Sequence, residues 1–210
     1  MWASRAVGEM SRVIIVRHPR PIERWRKVCY GFTDVEVEPL SPQDQAALNR
    51  LAKSVNRIYS SDLTRARTPA EKAAAAAKKP LVLDPRLREI NMGAWEGRSW
   101  EDIAREDPEA HENWEEDVLR FSPPGGESFL DLAARIRSWL MALPDEDVLA
   151  VAHGGSMRAL VHITLEIPLR RVPDLRMIHG RAGVFSRDGR DWHLDGWNLP
   201  LTAAASDFVS

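Results

Sequence analysis

Charged and polar side chains follow four short apolar stretches of this sequence, at the point where each stretch ends. In chain order they are Arg17, His18, Arg65, Glu89, His153 and Gly154. If the stretches are parallel strands, their carboxyl ends meet at one edge of a sheet, where ligands bind in open α/β folds. Two arginines, two histidines and a carboxylate beside a helix N-terminus form a phosphate site with an acid or base next to it.

Most of these residue types suit one step of phosphoryl transfer. Arginine is a permanently charged planar fork that matches two phosphoryl oxygens, so Arg17 and Arg65 are expected to clamp the group. A neutral imidazole is a nucleophile near pH 7, and we assign the attack to His18. His153 is expected to donate a hydrogen bond to the transferring oxygens. Gly154 lets backbone and helix N-terminus come close to the anion.

The reaction also needs a group that moves a proton. The departing alkoxide takes up a proton, and the water that attacks later must lose one, so a single carboxyl group can serve both steps. Glu89 is the candidate for this role. Glu96, which follows Trp95 in the same loop, is the competing carboxylate.

The elements that must position these residues alternate along the chain. The predicted strands are 12–17, 57–60, 80–83 and 147–152, and the predicted helices are 42–54, 127–143 and 156–165. This alternation predicts an α/β fold, a three-layer sandwich whose mainly parallel central sheet is flanked by helices. Asp188 and Gly189 stand between two alternating segments and predict a hairpin at the C-terminal edge of the sheet.

Pro69 interrupts a long helical pattern, because proline lacks the N–H that an internal helical position donates. Thr68 and Glu71 resolve this as an N-cap and the reciprocal partner of a capping box, with Pro69 in the first turn. This interpretation places Arg65 in a turn ahead of the helix.

The length and composition favour one domain. A chain of 210 residues that is 44% hydrophobic can bury one large core. We expect that domain to span 12–200, after a flexible leader at 1–11 and before a tail at 201–210. The irregular acidic segment at about 97–126 predicts a small cap insertion over the sheet edge.

The charge balance excludes some classes of partner. Twenty-nine basic residues against 31 acidic ones give a net charge of -2, so no global positive field attracts nucleic acid or an anionic membrane. No apolar run approaches the length of a membrane span. The single Cys29 has no disulfide partner, which favours a cytoplasmic location. The composition is compatible with a homo-oligomer.

Five segments of this sequence resemble the histidine phosphatase superfamily, which includes the cofactor-dependent phosphoglycerate mutases. The segments are VIIVRHP, IYSSDLTRA, RLREINMGAWEG, PPGGESFLDLAAR and VLAVAHGGSMRAL. The resemblance implies that Arg17, His18, Arg65, Glu89 and His153 have the roles argued above. It also implies a metal-independent phosphomonoesterase that needs no cofactor and acts on a small phosphomonoester.

The resemblance also narrows the activity. The stretch VCYGFTDVEVEPLS is similar to one found in α-ribazole phosphatases, which favours α-ribazole 5'-phosphate as substrate. A broad or different small-molecule phosphatase is the next hypothesis. A mutase ranks third, because the family's mutases carry a longer insertion than 97–121. A catalytically silent phosphate-binding module is the alternative from outside the enzymes. Its motivation is that Pro19 stands where the family has glycine and Pro21 where it has serine or threonine.

Several other residues have simpler structural interpretations. His162 lies in a helical pattern and His179 precedes the hairpin, so both are expected to be structural. Arg158 is expected to pack or to form an ion pair, and the same holds for Arg86 and Arg88. The eight tryptophans are interpreted mainly as packing residues, although those near the cap are also suited to stack on a flat base.

Overall fold

A computed structural model describes residues 11–189 and 191–209. The strands are β1 Ser11–Arg17, β2 Arg57–Ser60, β3 Leu81–Leu83, β4 Val148–Ala152, β5 Arg181–Asp188 and β6 Asp191–Pro200. The helices are α1 Pro42–Ser54, α2 Thr64–Ala77, α3 Trp100–Glu106, α4 Pro108–Glu116, α5 Phe129–Met141, α6 Gly154–Leu165 and α7 Leu201–Asp207. Residues 1–10, most of the predicted leader, lie outside the described residues.

The six strands form one sheet in the order β3-β2-β4-β1-β5-β6. The first four strands in the chain are parallel, while β5 runs antiparallel to β1 and β6 antiparallel to β5. This confirms the α/β sandwich with a mainly parallel sheet and a C-terminal edge hairpin. Because β1 has β4 on one side and β5 on the other, its carboxyl end adjoins the end of β4 and the beginning of β5.

Two apolar cores cover the two faces of the sheet. Val13 and Ile15 of β1 face the core formed with α5 and α6, and Ile14 and Val16 face the core formed with α1, α2 and α7. This alternation follows from the two-residue repeat of a strand. Both faces of β1 are therefore buried, which holds its carboxyl end firmly in place.

Helix α2 differs from the sequence prediction, because it begins at Thr64 and contains Pro69. Asp34, which is distant in sequence, caps it: Oδ1 accepts from the Thr64 backbone N–H at 2.7 Å and Oδ2 from the Thr64 hydroxyl at 2.9 Å. The capping box with Thr68 and Glu71 is therefore wrong. The lost hydrogen bond at Pro69 is outweighed by an alanine face that stays buried along the whole helix.

The C-terminal residues also differ from the predicted tail, because Leu201–Asp207 forms helix α7. Leu201, Ala204 and Ala205 share one face of this helix and are buried in the same core as α1.

The segment 97–126 contains α3, α4 and an irregular return. Its tryptophans pack on a small cluster around Cys29 and Ile103. No helix in the described part of the chain is long and apolar enough to cross a membrane.

Candidate active site

His18 lies directly beyond the end of β1, and its backbone continues the sheet by one hydrogen bond. Arg17 pairs with Ala152 in the parallel register of β1 and β4, and the His18 N–H donates to the Ala152 carbonyl at 3.0 Å. This register makes His18 and His153 the next residues after the paired strand ends. Their rings are 5.1 Å apart, centroid to centroid.

The environment of His18 keeps its ring neutral and oriented. The ring is 1% exposed, and burial, followed by the charges of Arg65 and Arg17, lowers its pKa well below the ordinary value of 6.5. Nδ1 lies 2.7 Å from the Pro19 carbonyl oxygen. Since a carbonyl oxygen only accepts, Nδ1 carries the proton and Nε2 keeps its lone pair.

His153 is the N-cap residue of α6 and is fully buried. Burial, followed by the charges of Arg65, His18 and Arg17, lowers its pKa well below 6.5. Neither ring nitrogen has a hydrogen-bond partner among the described residues. The ring is therefore a neutral donor or acceptor that faces the space beside His18.

Arg17 lies against the beginning of α6. Its Nη1 donates to the Met177 carbonyl, whereas its Nε is buried without a partner. A Cβ atom at Gly154 would lie 3.1 Å from Cζ and 3.2 Å from Nε of Arg17. Gly154 thus gives the guanidinium room at the helix N-terminus, which is where a bound anion is favoured.

Arg65 is in the first turn of α2 and is 1% exposed. Its two terminal nitrogens donate to the carbonyls of Thr33, at 2.7 Å, and Gly31, while its Nε is buried without a partner. The guanidinium also lies over the Tyr30 ring, 5.4 Å from the centroid. The segment 30–33 therefore holds the two terminal nitrogens of Arg65 in place, and Nε remains available to a ligand.

Glu89 and Glu96, the two competing carboxylates, have different surroundings. The Glu96 carboxylate accepts the backbone N–H groups of Gly31, Phe32, Thr33 and Met92 and organises that loop. Burial would raise its pKa, but these hydrogen bonds together lower it.

Glu89 instead lines a cavity together with Arg17 and Gly155. It accepts the Gly155 backbone N–H at 3.0 Å, and it is the strongest of the charges that oppose the lowering of the Arg17 and Arg65 pKa values by burial. The geometry therefore favours Glu89 as the proton-transfer group over Glu96.

The backbone that carries Glu89 is held from helices α5 and α6. Arg135 donates to the carbonyls of Arg86, Arg88 and Glu89, each at 2.7 Å. The hydroxyl of Ser156 lies 3.0 Å from the Arg88 carbonyl oxygen. The side chains of Arg86 and Arg88 pair with Asp84 and Asp62, in agreement with their structural interpretation.

Buried side-chain nitrogens without hydrogen-bond partners cluster around His18. Seven buried side-chain nitrogens have no hydrogen-bond partner among the described residues, and five of them belong to Arg17, Arg65, His153 and His179. The charges of both arginines act on all three histidines. Such a concentration of donors matches an oxyanion, which offers several acceptor oxygens at one point.

The prediction that His179 is purely structural missed its position, because its ring lies 5.1 Å from that of His18. His179 comes just before β5, and β5 neighbours β1 in the opposite direction. Only that antiparallel pairing brings it to the carboxyl end of β1, so no local motif could have identified it. His162, in contrast, bonds the Ile167 carbonyl within its own helix region.

A cavity of about 470 Å³ extends from Glu89 toward the segment 97–126. Arg17, Gly155 and Arg158 line its polar end. The other lining residues are mostly apolar and include Val28, Ile90, Met92, Trp100, Trp114, Leu119 and Val172. The rings of Trp100 and Trp114 stack with centroids 4.9 Å apart.

In the described part of the chain, no three His, Cys, Asp or Glu side chains are grouped as a metal ion would need.

Comparison with known proteins gives a consistent result. The family model described as histidine phosphatase superfamily (branch 1) matches residues 13–200. Glucosyl-3-phosphoglycerate phosphatase of Mycobacterium tuberculosis is 32% identical over 89% of this chain and 94% of its own length. A probable phosphoglycerate mutase of Escherichia fergusonii is 31% identical over 90% of each chain.

Solved structures share the fold as well. The native structure of mycobacterial glucosyl-3-phosphoglycerate phosphatase superimposes with a TM-score of 0.79 at 32% identity and covers 91% of this chain and 100% of that one. The α-ribazole phosphatase of Shigella flexneri superimposes with a TM-score of 0.76 at 21% identity, covering 89% of this chain and 96% of that one, which is a likeness of fold.

Proposed function

Because this chain belongs to the histidine phosphatase superfamily, we propose that it hydrolyses small phosphomonoesters through a phosphohistidine formed on His18. The observation that carries the proposal is the set of unpartnered buried nitrogens of Arg17, Arg65 and His153 around a neutral imidazole. These donors suit the non-bridging oxygens of a phosphoryl group, and the imidazole suits the attack on its phosphorus.

In the first step, Nε2 of His18 attacks phosphorus. The Nε2–P bond forms while the ester P–O bond breaks, and the departing alkoxide takes a proton from the Glu89 carboxyl group. The Nδ1–H bond to the Pro19 carbonyl keeps the ring oriented and stabilises the positive charge that develops on it. Arg17 and Arg65 balance the charge on the phosphoryl oxygens.

In the second step, water attacks phosphorus and the Nε2–P bond breaks. The Glu89 carboxylate accepts a proton from that water, so the group returns to its protonated form, and His18 recovers its lone pair. Inorganic phosphate is released. The hydrogen bond from Gly155 to Glu89 holds the carboxylate at the cavity for both transfers.

The cavity supports a substrate whose body is flat and apolar rather than heavily hydroxylated. Its lining beyond the polar end is mostly aliphatic and aromatic, and Trp100 and Trp114 lie on it. The benzimidazole of α-ribazole 5'-phosphate has this character, so that ester is our preferred substrate. The 32% identical relatives are named for glucosyl-3-phosphoglycerate, whose polar sugar makes it the informative competitor.

A phosphate-release screen tests the proposal. Purified protein is given α-ribazole 5'-phosphate, glucosyl-3-phosphoglycerate, sugar phosphates, nucleotides and phosphoglycerates, with and without EDTA. We expect EDTA-resistant release that His18→Ala abolishes and His162→Ala retains. No release from any monoester would refute the proposed function, and a preference for the glucosyl ester would refute only the preferred substrate.

Mutase activity is the second candidate, because a relative named as a probable phosphoglycerate mutase is 31% identical over 90% of this chain. It predicts interconversion of monophosphoglycerates that depends on bisphosphoglycerate and releases no net phosphate. Labelled substrate followed by quenching in alkaline detergent separates both enzyme hypotheses from a silent module. Either enzyme gives an acid-labile phosphoprotein that is lost in His18→Ala, and a silent module gives none.

A further inference from the structure

His179 and His153 flank His18 in closely similar ways. The centroid of each ring lies 5.1 Å from that of His18, with interplanar angles of 59° for His179 and 57° for His153. The sheet order explains this arrangement, because β1 lies between β4, which ends before His153, and β5, which begins after His179. The nucleophile is thus placed between two imidazoles, and only one of them is accounted for by the roles assigned so far.

The backbone around His179 is tied to the nucleophile itself. The Gly180 N–H lies 3.1 Å from the carbonyl oxygens of both Arg17 and His18, and the Ile178 N–H donates to Oδ1 of Asn198 at 2.9 Å. Gly180 has φ +68°, a left-handed conformation that glycine adopts without strain. The His179 ring is therefore held beside His18 by its two chain neighbours.

The imidazole of His179 is chemically available. Its Nε2 is buried and has no hydrogen-bond partner among the described residues. Burial, followed by the charges of Arg17, Arg20 and Arg65, lowers its pKa to about 3. Near neutral pH the ring is consequently uncharged, and such a ring carries one N–H that it can donate to an anion.

The sequence after His18 removes two backbone donors from this side of the nucleophile. Pro19 follows His18 directly and Pro21 stands after Arg20, and a proline has neither a backbone N–H nor a polar side chain. Pro21 and His179 line the same recess, together with Arg20 and Arg26. A phosphoryl group on His18 would therefore lie near the His179 imidazole, on a side where Pro19 and Pro21 offer no backbone N–H.

We infer that His179 is a further catalytic residue, whose Nε2–H donates a hydrogen bond to a non-bridging oxygen of the phosphoryl group in both steps. This inference rests on the proposed phosphohistidine mechanism. His179 neither gains nor loses a proton in the cycle, so the atom balance of the two steps is unchanged. Its contribution is to stabilise the negative charge that shifts among the phosphoryl oxygens in the transition state.

Kinetics of three variants test the inference. His179→Leu keeps a comparable volume without a donor, and His179→Gln places an amide N–H near the position of Nε2. We expect His179→Leu to lower kcat by about 100-fold, with a smaller change in KM, and to weaken inhibition by vanadate. His179→Gln should recover at least about tenfold of that loss, and His162→Leu should leave kcat unchanged.

The outcomes separate this inference from the proposed function. A kcat within twofold of wild type in His179→Leu, with His18→Ala inactive, overturns the role of His179 and leaves the mechanism standing. Equal losses in His179→Leu and His179→Gln, with unchanged vanadate inhibition, also overturn it. A wild-type protein without phosphatase activity overturns the function itself.

A measurement on the unmodified protein covers the case in which a variant does not fold. In ¹⁵N-histidine-labelled protein, saturating vanadate should place the His179 ring in the form protonated at Nε2, with a detectable cross-peak for that N–H. An unchanged His179 resonance on vanadate binding refutes the inference.

Discussion

Replacing Gly155 by alanine should slow the transfer of protons without removing the phosphate clamp. A Cβ atom at this position would lie 2.1 Å from Oε1 of Glu89 and 2.9 Å from Cδ2 of Leu132. Since real Cβ contacts essentially never fall below 3.0 Å, the carboxylate must withdraw by about 1 Å. A misplacement of that size costs about 100-fold in rate, which corresponds to about 2.7 kcal/mol of activation free energy.

The leaving group provides the assay for Gly155→Ala. Benzyl phosphate releases an alkoxide that needs a proton, whereas p-nitrophenyl phosphate releases a stable anion that does not. We expect the first turnover of benzyl phosphate to slow by about 100-fold. With p-nitrophenyl phosphate, the first turnover should stay near the wild-type rate as a burst, and steady turnover should then slow because water attack still needs the base.

Gly154→Ala is the matched control, because its Cβ would crowd Arg17 at 3.1 Å rather than Glu89. Damage to the phosphate clamp should slow the first turnover of both esters alike. Thermal unfolding of each variant establishes that it folds. If Gly155→Ala slows the first turnover of both esters equally, or if kcat for benzyl phosphate stays within about threefold of wild type, the assignment of proton transfer to Glu89 is refuted.

Three further predictions follow from the described contacts. Pro19→Gly should change steady-state turnover by less than about tenfold, or about 1.4 kcal/mol, because the carbonyl that accepts from His18 is retained; a larger increase would show that the prolines impair the site. The free energy of unfolding should fall below about pH 6.5, since the unfolded chain binds protons that the buried histidines do not. For His179, with a pKa of about 3, the slope is about 1.4 kcal/mol per pH unit between about pH 6 and 4; His179→Asn should reduce the slope of urea-derived stabilities by that amount, and an unchanged slope contradicts it. Leu201→Ala should lower stability in urea by about 2–5 kcal/mol, while the exposed Thr202→Ala stays within about 0.5 kcal/mol; equal effects would show that α7 adds nothing to the core.

The residues at strand ends could be predicted from the sequence because a buried strand is a local signal. The runs that contain Ile14 and Leu149 are apolar on both faces, so their ends are visible, and parallel strands end on the same side of the sheet. This reasoning selected Arg17, His18 and His153 before the register was known. The register of Arg17 with Ala152 then explains why the two histidines become neighbours.

Features that depend on partners distant in sequence could not be predicted in the same way. Helix α2 begins at Thr64 because Asp34 caps it from 30 residues away, and no local pattern contains that carboxylate. Helix α7 is only seven residues long, and its apolar face is buried only because it packs in the same core as α1. His179 reaches the site through an antiparallel strand pairing, whereas the search at strand ends considered only the exits of parallel strands.

The composition of the site explains why single nitrogens from distant parts of the sequence meet at one point. A buried polar group without a partner costs about 1–3 kcal/mol, and five such nitrogens surround His18. Unpartnered nitrogens of this kind would destabilise an ordinary core, but here the two cores that cover β1 hold the donors in place. An oxyanion offers several acceptors within a few ångströms, so one small ligand can serve donors from β1, β4, α2 and the loop before β5. The same uncompensated burial lowers the pKa of all three histidines, and so the arrangement that suits an anion also keeps the nucleophile neutral.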